Sequence, residues 1–325
     1  MLYPTLKAIS AARNRLQKYT DCTPSIELNS IASQKRLGKS AQIYVKLELF
    51  QKTGSFKARG AVNNLLHLSE DQLRYGVTGV SAGNHAIAVA YAACCLGSSA
   101  KLVMPKSAQP SRIEQCKDYG GEVVLASNVV EAFEQVESIA SAEQRAFIHP
   151  FSGMHTLEGS GVVGLEITEQ MPQLDIMFLP IGGGGLCAGI AAALRQSWPE
   201  VKIIGVEPEG SAVMTKSFSE GKSATLAESN TIADSLAPPT TTESTFQACH
   251  ALLDDLILVS DEQIRESMAF IQRELKCAVE PAGAVATAGL LMQEPSSLDG
   301  KKIGTILCGA NISTSLYCDY VDGQL

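Results

Sequence analysis

The sequence predicts an α/β protein in which helices cover parallel β-sheets. Short apolar segments typical of strands alternate with helical segments through most of its 325 residues. Several of these strand segments end at a glycine-containing turn that opens a helix. Such alternation is typical of parallel sheets, because a parallel connection needs a crossover helix. Ligands of these sheets bind beyond the carboxyl ends of the strands, so we expect a site there.

The first elements lead to a lysine-containing segment. Residues 4–17 carry apolar side chains near helical spacing and are predicted to form a helix. Residues 23–25 interrupt this pattern, and residues 43–47 then have the composition of a strand. Ser55 is a favourable N-cap for a helix that continues to Leu66.

The middle of the chain repeats a strand–turn–helix pattern. Strands are predicted at residues 77–80, 100–104 and 121–125. Helices are predicted between them at residues 84–96, which are rich in alanine, and at residues 111–118. Three strands separated by two helices form one α/β unit.

The same pattern returns in the second half of the chain. Strands are predicted at residues 176–179, 203–206 and 303–307, and an alanine-rich helix follows the first of them. Residues 220–245 are rich in Ser, Thr and Pro and are predicted to form a long loop. The chain therefore contains two α/β units.

The composition excludes several classes of protein. With 45% hydrophobic and 18% charged residues the chain is an ordinary globular sequence, and its net charge of -8 argues against binding nucleic acids or anionic membranes. No apolar run is long enough to cross a membrane, and residues 1–17 lack the apolar core of a signal peptide. Nine scattered cysteines without zinc-binding spacing indicate reduced thiols and a cytoplasmic location.

Lys57 is the strongest candidate for a reactive residue. It lies in segment 51–61, where Gly54 and Gly60 permit close approach of the backbone and Phe56 offers an aromatic face. A lysine in a partly dry pocket at the start of a helix has a lowered pKa. Its neutral amine can then form a Schiff base with a carbonyl compound. The alternative is an ordinary surface charge.

A run of glycines forms a candidate anion site. Gly182, Gly183, Gly184 and Gly185 follow a predicted strand, and Leu186 lies in the first turn of the next helix. Backbone N–H groups of such a loop can converge on an anion at a helix N-terminus. The loop lacks GxGxxG spacing, so it predicts a site for one phosphate rather than a dinucleotide. A flexible turn is the alternative.

A polar turn with the sequence Ser81-Ala82-Gly83-Asn84-His85 also lies between a predicted strand and a helix. Its backbone N–H groups and polar side chains can bind a carboxylate. A simple helix cap is the alternative.

Three further residues lie at the ends of predicted elements. Cys308 follows the strand at residues 303–307, where the residues alone favour a structural buried cysteine. Glu280 precedes a helix of small residues, a position where a carboxylate commonly caps the helix. Glu207 follows the strand at residues 203–206, a position where a solvated carboxylate is common.

The lysine segment, the Asn84 turn, the tetraglycine loop and the segment Cys308-Gly309-Ala310-Asn311 occur in an order that resembles the fold-type II pyridoxal phosphate (PLP) enzymes. This family includes threonine and serine dehydratases, serine racemase and tryptophan synthase β. The resemblance spans roughly residues 20–312, and its motifs are more specific for fold and cofactor than for substrate.

The resemblance implies a role for each candidate residue. Lys57 would carry the PLP aldehyde and the tetraglycine loop would bind the PLP phosphate. Asn84 would hydrogen-bond the ring hydroxyl, Cys308 would meet the pyridine nitrogen, and Glu280 would lie near the ring edge. The implied cofactor-binding set is Phe56, Lys57, Asn84, Gly182, Gly183, Gly184, Gly185, Leu186, Glu280 and Cys308.

The same resemblance implies that the turn at residues 81–85 holds the substrate carboxylate. In serine racemases a serine at position 82 acts as acid and base on the second face of the substrate, whereas Ala82 cannot transfer a proton. We therefore predict a PLP-dependent dehydratase that converts a β-hydroxy amino acid, by default L-threonine or L-serine, to a 2-oxo acid and ammonia.

Other activities share these motifs. The alternatives are a serine racemase, a dehydratase for hydroxyaspartate or phenylserine, a β-replacement synthase, and a non-catalytic metabolite-binding protein. Glu207 matches a cation-binding position of the family, but Val213 replaces the acidic partner that often lies six residues later. A monovalent ion held partly by carbonyl groups therefore suits this position better than magnesium.

The resemblance also implies a tryptophan synthase β-like architecture of two parallel-sheet α/β domains with the active site between them. The large domain would be discontinuous, with residues 1–52 and 151–325, and residues 53–150 would form the small domain. The predicted protein is a homodimer.

Overall fold

The computed structural model describes residues 2–323, apart from the side chains of residues 129 and 130, and this range contains ten strands in two sheets. Six strands form the larger sheet and four form the smaller. In chain order the strands are β1 Ser25–Leu28, β2 Gln42–Lys46, β3 Val77–Val80, β4 Ala100–Pro105, β5 Glu122–Ala126, β6 Ala146–Phe147, β7 Ile176–Pro180, β8 Lys202–Pro208, β9 Asp255–Val259 and β10 Lys302–Ile306.

Helices connect the strands, and several begin at a side-chain cap. Ser69 and Ser260 form capping boxes with Gln72 and Gln263. The helices are α1 Leu6–Leu16, α2 Ile31–Leu37, α3 Lys57–Leu65, α4 Glu70–Tyr75, α5 Asn84–Cys95, α6 Pro110–Asp118, α7 Val129–Ala142, α8 Met154–Gln170, α9 Gly185–Ser197, α10 Val213–Glu220, α11 Glu243–Leu252, α12 Asp261–Leu275, α13 Pro281–Leu291, α14 Pro295–Leu298 and α15 Thr314–Val321.

The strand order is β1-β2-β10-β7-β8-β9 in the larger sheet and β5-β4-β3-β6 in the smaller. Among these ten strands every pairing is parallel except that of β1 with β2, where Ser25 lies opposite Lys46. The prediction of two parallel-sheet α/β units is thereby confirmed. The antiparallel edge strand β1 was not predicted, because four residues of mixed burial carry little periodic signal.

Close helix packing positions the two helices that border the site. A Cβ on Gly164 of α8 would lie 2.7 Å from the Ile190 carbonyl oxygen of α9, and one on Gly189 would lie 2.7 Å from that of Leu157. Glycine therefore lets the two backbones approach closely. Helix α13 is apolar on all sides and buried along its whole length, as expected for a helix within a core.

One local prediction is wrong. Ser55 does not cap the lysine helix, which begins at Lys57 with Phe56 at its N-cap position. Ser55 is extended and pairs as an antiparallel bridge with Gly309, so a contact distant in sequence overrides the local capping preference. Lys57 nevertheless lies in the first turn of α3, as predicted.

The strands of the smaller sheet lie within residues 77–147, and those of the larger sheet lie within residues 25–46 and 176–306. The domain boundaries at residues 52/53 and 150/151 stay predictions, and the outer ends at residues 1 and 324–325 lie outside the described range. No helix among the described residues has the length and hydropathy needed to cross a membrane.

Candidate active site

Residues that follow strands of both sheets line a cavity of about 410 Å³. The carboxyl ends of β3 and β7 reach it through the turns that begin at Ser81 and Gly182, which is the expected position for a ligand of parallel sheets. The predicted site residues that line it are Phe56, Lys57, Ser81, Ala82, Gly83, Asn84, His85, Gly182, Gly183, Gly184, Gly185, Leu186, Glu280 and Cys308.

Lys57 lines this cavity, and its amine is shielded from solvent. Its Nζ donates a hydrogen bond to the Pro150 carbonyl oxygen at 2.5 Å, and the Phe56 ring centroid lies 5.1 Å from it. Burial lowers the pKa of Lys57 to about 8, although the nearby Cys308 and Glu280 act in the opposite direction. Much more of this amine is therefore neutral near pH 7 than in an ordinary lysine, as a nucleophile or base requires.

Two imidazoles near Lys57 are also held neutral. His85 donates from Nε2 to the Ile148 carbonyl oxygen at 2.8 Å, and burial lowers the pKa of His85 to about 3. His149 accepts hydrogen bonds at Nδ1 from backbone N–H groups of residues 151–152, and burial lowers its pKa to about 4. Neither ring adds positive charge beside the lysine at neutral pH.

The tetraglycine loop turns directly from β7 into α9. Gly184 has a φ of +96°, a left-handed conformation that favours glycine. A Cβ on Gly183 would collide with the Phe151 ring, and one on Gly185 would collide with the Phe151 backbone. Within the described residues the N–H groups of Gly183 and Gly184 have no acceptor. Free donors at a helix N-terminus fit a phosphate group.

Asn84 and Glu280 bond to each other in the cavity wall. Nδ2 of Asn84 donates to Oε1 of Glu280 at 2.5 Å, and Oδ1 of Asn84 accepts from Asn311 at 2.6 Å. Glu280 occupies the N-cap position of α13 but makes no capping hydrogen bond, so it does not cap the helix. Burial raises the pKa of Glu280 to about 7, while the guanidinium of Arg112 acts in the opposite direction.

Two small side chains complete the predicted set. Ala82 contributes only a methyl group to the lining. Its turn contains a hydrogen bond from the Gly83 N–H to the Ser81 hydroxyl at 3.1 Å. Cys308 is 3% exposed and donates from Sγ to the Ala282 carbonyl oxygen at 3.5 Å. Burial raises the pKa of Cys308, so it stays a neutral thiol.

Glu207 does not line the cavity. Its carboxylate accepts hydrogen bonds from the backbone N–H groups of Met214 and Thr215, both at 2.7 Å, and from the Thr215 hydroxyl at 2.6 Å. It therefore binds the first turn of α10 and is itself fully buried. A cation at Glu207 stays a prediction.

Sequence reasoning missed three residues that shape this region. Arg112 on α6 contacts Glu280 and Asp234, and Asp234 and Phe133 line the cavity. No local motif marks any of them. Asp234 lies in the Ser/Thr/Pro-rich segment that was predicted to be a loop, and Phe133 lies on α7.

The donors and the space in this cavity fit PLP. The buried amine of Lys57, with its lowered pKa, can react with the PLP aldehyde, and the glycine N–H groups can bind its phosphate. The neutral thiol of Cys308 and the amide of Asn84 can contact polar groups on the pyridine ring. The collisions that a Cβ on Gly183 or Gly185 would cause show that this loop is packed to leave only its backbone at the cavity.

Comparison with known proteins agrees with this geometry. The chain is 43% identical to phenylserine dehydratase of Ralstonia pickettii over 318 residues, which covers 98% of this chain and 96% of that protein. It is 36% identical to L-threonine ammonia-lyase of Thermotoga maritima over 96% of this chain and 77% of that protein. The structure of maize serine racemase superposes with a TM-score of 0.90 at 34% identity, covering 98% of this chain and 97% of that one.

The family model described as pyridoxal-phosphate dependent enzyme matches residues 16–309, a range that includes Lys57, the Asn84 turn, the tetraglycine loop and Cys308. By this match and by its likeness to these proteins, the chain belongs to the family of fold-type II pyridoxal-phosphate dependent enzymes.

Proposed function

We propose that this chain is a PLP-dependent dehydratase (ammonia-lyase) that converts a β-hydroxy amino acid to a 2-oxo acid and ammonia. The observation that carries the proposal is a buried Lys57 amine with a pKa of about 8, facing the same cavity as the tetraglycine loop. The relatives named phenylserine dehydratase and L-threonine ammonia-lyase support this class of reaction.

Residues of this protein would bind the cofactor and transfer the substrate proton. When bound, PLP supplies an electron sink that stabilises negative charge at the substrate α-carbon. The tetraglycine loop would hold its phosphate, Asn84 its ring hydroxyl and Cys308 its pyridine nitrogen. Lys57, as the neutral amine, accepts the α-proton. Loss of the α-proton and of the β-hydroxyl together releases one water, and hydrolysis of the dehydrated product then consumes one water and releases ammonia and the 2-oxo acid, without net oxidation.

The lining favours elimination over racemisation. Racemisation needs a proton donor on the face of the α-carbon opposite Lys57, and Ala82 has no proton to give. Cys308 stays a neutral thiol because burial raises its pKa, so it does not protonate a ring nitrogen as a carboxylic acid would. A weaker electron sink suits elimination better than reactions that need a long-lived carbanion. Racemase activity is the second candidate, supported by the likeness to maize serine racemase.

The cavity wall favours an apolar β-substituent. Ala132, Phe133, Leu236 and Pro238 line it, and among its described lining residues Lys57 is the one that carries a cationic side chain. A second substrate carboxylate, as in hydroxyaspartate, would therefore find only neutral donors there, such as Ser107 and Asn230, apart from Lys57. We infer that substrates range from L-threonine to aryl-substituted amino acids such as phenylserine, with L-serine turned over less well.

A substrate panel tests this proposal. L-serine, L-threonine, L-threo-3-phenylserine and L-threo-3-hydroxyaspartate would be assayed for both 2-oxo acid and ammonia. We expect equal amounts of the two products, with kcat/KM for hydroxyaspartate lower than for L-threonine by about tenfold or more. Release of no 2-oxo acid from any of the four by PLP-loaded protein would overturn the proposal.

Lys57→Ala should abolish this turnover, and borohydride should attach PLP to the peptide that contains Lys57 in the unsubstituted protein. Lys52→Ala is the matched control, because Lys52 lies in the same segment but pairs with Asp21 on the surface. Its turnover should stay close to that of the unsubstituted protein. Cytoplasmic location, homodimeric assembly and a bound cation stay predictions.

A further inference from the structure

The side chain of Arg112 connects two parts of the molecule: the smaller sheet with its helices (the smaller sheet unit) and the larger sheet with its helices (the larger sheet unit). It lies on α6, which follows β4, and it is 1% exposed. Its side chain packs against the turn that precedes α5, since a Cβ on Gly83 would lie 2.9 Å from Cδ of Arg112. A fully buried arginine needs partners for its charge and its donors.

The guanidinium finds three such partners in segments that belong to the larger sheet unit. Nε donates to the Asn311 carbonyl oxygen at 2.9 Å, Nη1 to Oδ2 of Asp234 at 2.5 Å, and Nη2 to Oε2 of Glu280 at 3.1 Å. A planar fork with several donors can satisfy all three at once, which a lysine ammonium cannot do in the same geometry.

Two of these partners connect directly to Asn84. Glu280 accepts from Asn84 through its other oxygen, and Asn311 donates to Oδ1 of Asn84 while also bonding to the Thr53 carbonyl oxygen at 2.7 Å. Asn84 and Glu280 line the cavity. Arg112 does not line it, so any effect of Arg112 on the chemistry passes through them.

We propose that Arg112 is a positioning residue. It fixes Glu280 and Asn84 in the cavity wall, and through Asp234 it holds the segment at residues 229–240 against the smaller sheet unit. Parts of this segment line the cavity, and Asp234 keeps 42% of its side chain exposed there. Only the catalytic consequence rests on the proposed dehydratase function; the structural role of Arg112 does not.

The charges around Glu280 predict a signature in the pH dependence. Burial raises the pKa of Glu280, Arg112 lowers it, Asp234 raises it, and the hydrogen bond from Asn84 lowers it. Lys57 and Cys308 are the other titratable groups that interact with Glu280. Removing Arg112 should therefore raise the pKa of Glu280, whereas neutralising Asp234 should lower it.

Arg112→Ala, Arg112→Lys and Asp234→Asn separate these effects. Arg74→Ala is the control, because Arg74 lies in the same unit and pairs with the exposed Asp71 rather than with the larger unit. Hydrogen exchange of residues 229–240 would be measured with and without PLP. The absorbance of bound PLP and kcat/KM would be followed from about pH 5 to pH 9.

We expect Arg112→Ala to speed exchange in residues 229–240 by about tenfold or more and to lower kcat/KM by about ten- to a hundredfold. The acid limb of the pH profile should move to higher pH in Arg112→Ala and to lower pH in Asp234→Asn. Arg112→Lys keeps the positive charge but loses the planar guanidinium with its several donors. The acid limb of its pH profile should therefore stay near that of the unsubstituted protein, while hydrogen exchange of residues 229–240 becomes faster.

Unchanged exchange in Arg112→Ala, or acid limbs that move the same way in Arg112→Ala and Asp234→Asn, would overturn the proposal. If Arg112→Ala does not fold, Arg112→Lys and Asp234→Asn carry the same test. Failure of the dehydratase proposal would look different: no substrate would be turned over by the unsubstituted protein, while the exchange and absorbance measurements would still report on Arg112.

Discussion

At the residue scale, the surroundings of Lys57 distinguish it from Lys52, the other lysine of its segment. Lys52 forms an ion pair with Asp21, and both side chains are half exposed. The amine of Lys57 instead meets a backbone carbonyl, an aromatic ring and two neutral imidazoles, which provide no full negative charge to stabilise the ammonium form. Its reactivity is therefore a product of burial rather than of residue type.

The pH dependence of PLP capture should report this burial. An amine with its ordinary pKa of 10.5 would be protonated at pH 8, whereas Lys57 is half neutral near that pH. The rate at which apoprotein captures PLP, measured by stopped-flow absorbance, should therefore rise as the pH passes through about 8 and then level off. A rate that keeps rising to pH 10 would mean that the Lys57 amine is not buried in solution.

Ala82 should decide the ratio of elimination to racemisation. General acid–base groups typically contribute about 10²–10⁴-fold, so D-serine formation from L-serine should trail pyruvate release by about that margin. Chiral chromatography alongside a pyruvate assay measures both. Ala82→Ser should raise racemisation relative to elimination, because it adds a hydroxyl to the cavity lining. Equal rates in the unsubstituted protein would contradict this role.

At the scale of elements, the site is assembled from the ends of parallel strands. The Asn84 turn follows β3, the tetraglycine loop follows β7, and Cys308 lies two residues beyond the end of β10. Each end supplies a different kind of group: polar side chains, backbone N–H donors, and a neutral thiol. Parallel pairing places the carboxyl ends of the strands of a sheet at the same edge, which brings residues distant in sequence to one cavity.

Two glycine substitutions should separate the role of the tetraglycine loop from the general cost of losing a glycine. Gly184 and Gly221 both have left-handed backbones, with φ of +96° and +67°, so alanine should cost each about 1 kcal/mol of stability. A Cβ on Gly184 would also lie 2.8 Å from Met214 and Thr245, whereas one on Gly221 meets nothing within 4 Å.

The dissociation constant for PLP, measured by titration of the apoprotein, should therefore rise by about tenfold or more in Gly184→Ala. It should not change in Gly221→Ala. Equal affinities in folded protein of both variants would show that the phosphate binds elsewhere.

At the scale of the whole molecule, a buried cluster of charges anchors the lysine helix. Arg59 bonds to Glu48 at 2.8 Å and to Glu166 at 2.7 Å, and Glu166 also accepts from Lys46 at 2.7 Å. These four side chains come from β2, the 3-10 turn that follows it, α3 and α8, and they are at most 4% exposed. The start of α3, and with it Lys57, is therefore fixed to the larger unit.

Arg59→Ala should destabilise the protein strongly, because it leaves two buried carboxylates without their main partner. We expect the free energy of unfolding in urea to fall by about 3–5 kcal/mol. Arg13→Ala is the matched control, since the Arg13–Glu169 pair is about half exposed and should contribute at most about 1 kcal/mol. Equal losses in the two variants would contradict a special role for the buried cluster.

Much of this molecule can be predicted from its sequence because the relevant signals are local. Strand-to-helix turns rich in glycine, and a lysine between glycines and an aromatic residue, occupy a few consecutive positions. They predicted the α/β class and placed Lys57, the tetraglycine loop and Cys308 at strand or helix ends. Ser55 is the exception, because its bridge to Gly309 depends on a segment far away in the sequence.

Only the tertiary structure decided which charges meet. Arg112 lies 122 residues from Asp234 and 168 residues from Glu280, so no pattern within one segment relates them. Folding likewise decided the partners of Glu207, whose carboxylate accepts hydrogen bonds from the first turn of α10; a cation at Glu207 stays a prediction. Secondary structure follows from neighbouring residues, but the partners of a buried charge are set by how the two sheet units pack against each other.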